Sequence, residues 1–166
     1  MSKLVTFIEV LTRFFAHIAG VLVITLSLLI LYQAISRYLF NDSSVLIQEL
    51  QWHIFDIIFL LGLSYTLQTD KHVRVDIFYA SYSQKTKAII NIISQFFLIL
   101  PFVIIILYTS QTLVEMSYLQ GEISSDPGGL THRYLIKAMI LVGFALLGLQ
   151  SIAEIYKNIM IIKEAK

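Results

Sequence analysis

Residues 48–76 read QELQWHIFDIIFLLGLSYTLQTDKHVRVD. An entry carrying Glu49 and Asp56 leads into the apolar run Ile57 to Leu67, which closes on Asp70, Lys71, His72, Arg74 and Asp76. At 1.5 Å per residue, about 20 helical residues cross the ~30 Å hydrocarbon core of a bilayer, and Gln48 to Gln68 meets that length. Basic residues flanking a span favour the cytoplasmic side. Lys71 and Arg74 therefore put the exit of this helix in the cytoplasm and its entry outside.

The whole chain agrees with a membrane setting. Its 166 residues are 57% hydrophobic and 14% charged, with a mean hydropathy of +0.78, whereas soluble domains are about a quarter charged. A single core of this size cannot hide so much apolar surface. The absence of cysteine excludes disulfides and thiolate-bound metals. No phosphate-binding glycine loop and no paired-histidine zinc motif is present, so ATP hydrolysis, a metal site and enzymatic chemistry are not expected.

Upstream, Leu4, Phe7, Ile8 and Leu11 recur at helical spacing beside Lys3, Glu9 and Arg13. This suits a short N-terminal interfacial helix, or an extension of the first span. Span one runs over about 14–36 and ends with Gln33, Ser36 and Arg37 on one face. After the turn Asn41–Ser44, Glu49, His53 and Asp56 follow at i, i+4, i+7 and form one stripe. An ion pair between Arg37 and Glu49 or Asp56 across this hairpin is expected. Asp56 lies one to two turns into the apolar region, where an ionisable residue marks a functional position by default. A carboxylate near a helix N-terminus also complements the macrodipole, and this structural role is favoured.

Downstream, Phe78, Tyr79 and Tyr82 with Lys85 and Lys87 read as an interfacial connection. Span three covers about 88–108, with Asn91, Ser94 and Gln95 on one face and Pro101 placed to kink it. Its helix can continue to Leu119, with Gly121 as the stop. Ser124 to Gly129 is the clearest loop, and span four follows over about 135–156. Gly143, Ala145, Gly148, Ser151 and Ala153 permit close helix contact there, and Gln150 and Glu154 are expected to meet the polar face of span three.

The expected fold is thus an all-α integral membrane protein, one four-helix domain over 1–166 with spans about 14–36, 48–68, 88–108 and 135–156. Lysine and arginine number nine at the N-terminus, middle loop and C-terminus, against three in the first and third loops. That bias places both termini in the cytoplasm.

Four histidines raise the possibility of a haem-binding membrane anchor of a respiratory complex. His72 in a charged loop and His132 after a turn bury haem poorly. An independent small transporter should carry an acid deep in a span and internal similarity between halves; Asp56 and Glu154 sit toward the ends of their spans, spans one and three hold no acid in their apolar cores, and no such similarity is visible. A subunit that works by packing against another membrane protein fits better.

In order and spacing, Arg37, the Glu49-Leu50 pair, His72-Val73-Arg74-Val75-Asp76, Pro101 and Asp126-Pro127-Gly128-Gly129-Leu130 with Arg133 and Lys137 resemble the DctQ-like small membrane subunit of tripartite ATP-independent periplasmic (TRAP) transporters. The resemblance covers about Ser27 to Glu154 and departs from the family pattern at Thr131 and Leu141. It implies a small permease subunit of the bacterial inner membrane. Such a subunit pairs with a large membrane subunit, which carries the sodium and substrate sites, and with a periplasmic substrate-binding protein delivering an organic acid. It further implies that Arg37, Glu49, His53, Asp56, Asp126 and Arg133 form a subunit or binding-protein interface. Lys71, His72, Arg74 and Asp76 would lie at the cytoplasmic interface, where lipid headgroups are the favoured contact of Lys71 and Arg74. No cofactor is expected in this chain, and no nucleic acid partner.

Overall fold

The computed structural model describes residues 3–69 and 82–164. Lys71, His72, Arg74 and Asp76, together with Phe78 and Tyr79 of the expected interfacial connection, lie outside the described residues. The elements are α1 (Lys3–Phe40), α2 (Val45–Gln68), α3 (Gln84–Ser94), a π-helical turn (Gln95–Ile99), α4 (Leu100–Leu119) and α5 (Tyr134–Glu164). Since α3, the π turn and α4 form one rod, four helices are long and apolar enough to cross a membrane. The chain is an all-α, multi-pass membrane protein. The start of α1 and the end of α5 lie at one end, here called proximal; the α1–α2 and α4–α5 connections form the distal end.

α1 is continuous. No proline or glycine interrupts it before Gly20, and Val5 and Ile8 are buried in a cluster with Ala153 of α5. The segment read as a short interfacial helix is therefore the proximal part of the first span, held by tertiary packing along its apolar stripe.

α5 is the hub. It packs against α1, α2, α3 and α4, whereas α1 and α4 make no substantial contact with each other. Ala19, Leu61 and Leu146 join α1, α2 and α5 in one cluster, and Leu67, Val103 and Leu147 join α2, α4 and α5 in another. α2 and α5 run parallel. They approach most closely at Gly143, where a Cβ would lie 2.8 Å from Leu60 Cβ and 2.9 Å from the Leu60 carbonyl oxygen.

Proline in a helix removes an N–H and its ring collides with the carbonyl four residues back. Here Pro101 is accommodated by a widened turn just before it: the Leu100 N–H donates to the Gln95 carbonyl, five residues back. In this turn Gln95 is only 4% exposed. Its side-chain oxygen accepts a 2.7 Å hydrogen bond from the Ser151 hydroxyl.

That bond belongs to a polar layer near the proximal end. Asn91 Nδ2 donates to Asn158 Oδ1 at 3.3 Å, and Thr12 Oγ1 donates to Gln150 Oε1 at 3.0 Å. The Lys157 ammonium lies 2.9 Å from Glu9 and 2.6 Å from Glu154, while Gln68 Nε2 donates to the Glu9 carbonyl at 3.3 Å. Spans three and four therefore share polar contacts, with different partners from those expected. Ser151 and Asn158 lie on one stripe of α5 and face α3 and the π turn. Gln150, Glu154 and Lys157 form the neighbouring stripe and face α1, since residues three and four apart share a face and adjacent ones do not.

α4 ends where expected. Gly121 takes a φ of +57°, its N–H donates to the Tyr118 carbonyl at 3.1 Å, and the Glu122 N–H donates to the Ser117 carbonyl at 3.0 Å. These paired bonds are a Schellman motif.

Candidate functional site

Distal to the Gly143 contact, α2 and α5 leave a cleft of about 620 Å³ between them, edged by the α4–α5 loop. Asp126, Pro127, Gly128 and Gly129 make a type II turn. Proline sits at its second position, Gly128 takes a φ of +81° at its third, and the Gly129 N–H closes it on the Asp126 carbonyl at 3.0 Å. The Ser124 N–H donates to the Leu130 carbonyl at 3.0 Å and the Arg133 N–H donates to the Glu122 carbonyl at 3.2 Å. A rigid loop results.

Glu49 ties this loop to α2. Its carboxylate accepts from the Ser124 hydroxyl and, at 2.6 Å, from the Leu130 N–H. Hydrogen bonds to an ionised acceptor are about twice as strong as neutral ones. Gly129 has to be small here, because a Cβ would run into the Ser124 side chain and lie 2.7 Å from Glu49 Oε2. The loop is tied to α5 as well, through the ion pair of Glu122 with Lys137.

Glu49, His53, Asp56, Asp126 and Arg133, all singled out from the sequence, line the same cleft. Arg37 does not. It is exposed at the end of α1 and forms no ion pair with Glu49 or Asp56 among the described residues. The reason is that Glu49 is already engaged by the loop, by contacts 75 and 81 residues away in sequence. His17 is exposed on α1 and its Nδ1 meets the Arg13 carbonyl at 2.6 Å. His132 is exposed in the loop, with its ring edge-on to Tyr134. Among the described residues no group of three or more His, Asp or Glu side chains could hold a metal ion.

Among the lining residues that the sequence does not mark as site residues, three matter for the chemistry of the cleft, Trp52, Phe59 and Lys137. Trp52 and Phe59 stand at i−4 and i+3 from Asp56, so one helical stripe joins them. Lys137 stands four residues after Arg133 on the matching stripe of α5, and that spacing was the available signal.

Because Gly143 meets Leu60, the parallel helices share a register in which Lys137 lies near the level of His53 and Arg133 near that of Glu49. Asp56 lies about 10 Å further along the axis than Glu49, next to the apolar floor formed by Phe59, Leu60 and Ile140. It is exposed, with no ion-pair partner among the described residues. A charged side chain costs about 2.5–3.5 kcal/mol at the centre of a span on insertion scales and less toward its end, so a polar or charged neighbour lowers the cost of Asp56 at this position.

Lys137, hydrogen-bonded to Glu122, holds that carboxyl below its ordinary value of 4.5. A lowered native pKa stabilises the fold above the ordinary value, and the contribution fades as pH falls through the lowered one. Amide exchange in residues 122–133, corrected for intrinsic rates, is therefore expected to be steady from pH 7 to about pH 5 and to rise as pH falls below 4.5. The rise should be smaller in Glu122→Gln. An identical profile in the variant would exclude this ion pair as its source.

No individually curated protein matches the chain. The family model for the DctQ component of tripartite ATP-independent periplasmic transporters matches residues 26–160, a stretch that takes in most of the spanning helices and the whole distal cleft. With four spanning helices and this match, the chain belongs to the DctQ family, a component of tripartite ATP-independent periplasmic transporters and not an enzyme family.

Proposed function

We propose that this chain is the fixed small permease subunit of a sodium-coupled TRAP transporter in the bacterial inner membrane, with both termini cytoplasmic and the distal end facing the periplasm. It scaffolds a large membrane subunit, which holds the sodium and substrate sites, and it helps dock a periplasmic binding protein that delivers an organic acid. The family match over residues 26–160 carries this reading. Two features of the fold support it. The lysine and arginine bias favours this orientation, and the clamped loop from Glu122 to Arg133 offers a stiff periplasmic platform with Asp126 exposed on it.

The test is co-expression with the neighbouring transporter genes, purification in mild detergent, and uptake in proteoliposomes. The large subunit is expected to co-purify in about equal amount, and sodium-driven uptake to need both membrane chains and the binding protein. Uptake by the large subunit alone at the full rate, or transport by this chain alone, would overturn the proposal.

A further inference from the structure

We propose that the distal cleft seats a basic side chain carried by a membrane helix of the large transporter subunit, with Asp56 as its counter-ion and Trp52 and Phe59 flanking it. This names the partner group for the scaffold function proposed above and rests on that function.

Charge bookkeeping within the cleft points to a cation. The Glu49 carboxylate is taken up by Ser124 and the Leu130 N–H, and Lys137 is committed to Glu122. Three acids, Glu49, Asp56 and Asp126, then line the cleft with the guanidinium of Arg133, which stands near the level of Glu49, and the imidazole of His53, so the cleft is short of positive charge. A carboxylate ligand would be repelled. An ammonium or guanidinium would be drawn in.

Depth points to a protein-borne cation. Asp56 lies about 10 Å below the level of Glu49, beside Phe59, Leu60 and Ile140, where acyl chains have nothing to offer a carboxylate. Lipid ammonium groups sit higher, in the headgroup layer. Ionisable residues at such depth face other protein and pair with one another.

The surroundings of Asp56 also suit a cation. Trp52 is 66% exposed and Phe59 is 59% exposed, and both share the stripe of Asp56. Aromatic faces within about 6 Å of a guanidinium or ammonium attract it, and a guanidinium can also take a carboxylate through two parallel hydrogen bonds. The outer faces of α1 and α4 are different. Exposed Thr25, Ser27 and Thr109 spend their hydroxyls on carbonyls of their own helices, and none of the exposed side chains in the spanning parts of these faces is an acid.

The test uses the co-expressed complex with a photo-crosslinking phenylalanine analogue in place of Phe59, and separately in place of Ile104 on α4, which is 63% exposed. The Phe59 probe is expected to link to the large subunit, and the link to fall at least tenfold with Asp56→Asn. Asp56→Lys should abolish co-purification, and replacing one arginine or lysine in the periplasmic half of the large subunit's membrane helices by glutamate should restore it. The isolated Asp56→Asn chain should melt like the wild type, separating lost assembly from lost folding. Crosslinking of the Phe59 probe only to lipid or to the binding protein would overturn the proposal, as would unchanged assembly of Asp56→Asn. A large subunit that co-purifies and links only to the Ile104 probe overturns this placement and leaves the scaffold function standing. Failure of the wild-type chain to co-purify with the large subunit overturns both.

Discussion

Replacing Lys157 by methionine is expected to lower the melting temperature of the purified chain in detergent more than any other charge removal in the molecule. Lys157 lies between Glu9 of α1 and Glu154 of α5, and these two carboxylates are 13% and 15% exposed. Without the ammonium, two nearly buried acids confront each other at the proximal crossing. Removing one partner of a buried pair costs about 3–5 kcal/mol. Lys157 is 27% exposed, and access of solvent brings the expected loss to about 2 kcal/mol. A second variant separates charge from shape: adding Glu9→Gln to Lys157→Met should recover part of the loss, because it removes the confrontation. Equal melting of Lys157→Met and wild type would mean that the triad contributes nothing to holding α1 on α5.

The second large effect is expected at Gly143. Leucine there would push a side chain into Leu60 Cβ and the Leu60 backbone carbonyl, which a Cβ alone already approaches to 2.8 and 2.9 Å. Backbone cannot rotate aside as a side chain can. Overpacking costs about 1–3 kcal/mol and occasionally more, and a rigid neighbour puts this case at the top of that range. Gly20→Ala is the control, because a Cβ at Gly20 meets nothing within 4 Å and alanine favours the helix by about 1 kcal/mol. Trp52, the single tryptophan, lines the cleft about two turns distal to the Gly143 contact and reports on the separation of α2 and α5 through the cleft between them. Its emission should shift in Gly143→Leu and stay put in Gly20→Ala. An unshifted spectrum together with wild-type melting would show that α2 and α5 have room to part.

Both residues show where sequence reading succeeds and where it stops. Gly143 was recognised as a contact residue because small side chains on a spanning helix have few other uses. The four spans were legible for a similar reason, since length and apolarity decide membrane insertion locally. Gly121 as a helix stop, and the turn at Asp126–Gly129, were legible from backbone chemistry that belongs to those residues alone. The Lys157 triad was not legible, because Glu9 is 148 positions away and no local spacing couples them. Glu49 illustrates the same limit. Its position near the start of α2 suggested Arg37 as a partner, yet a loop far along the chain captured it. Pro101 announced a distortion without revealing its form, since a kink and a widened turn both answer a missing N–H. The cleft residues stood on one stripe of α2 in the sequence, but nothing there showed that α5 would supply the opposing wall.

The arrangement around α5 has a consequence for how solute can cross. Bundles that conduct usually set their helices around a void, so that polar groups line a path along the central axis. In this chain a helix occupies that axis, and Leu146, Leu147 and Ala153 seal it with neighbours on either side. No conduit runs through the middle of the described helices. On the scaffold function proposed above, whatever is translocated travels beside this protein, through the large subunit that it braces.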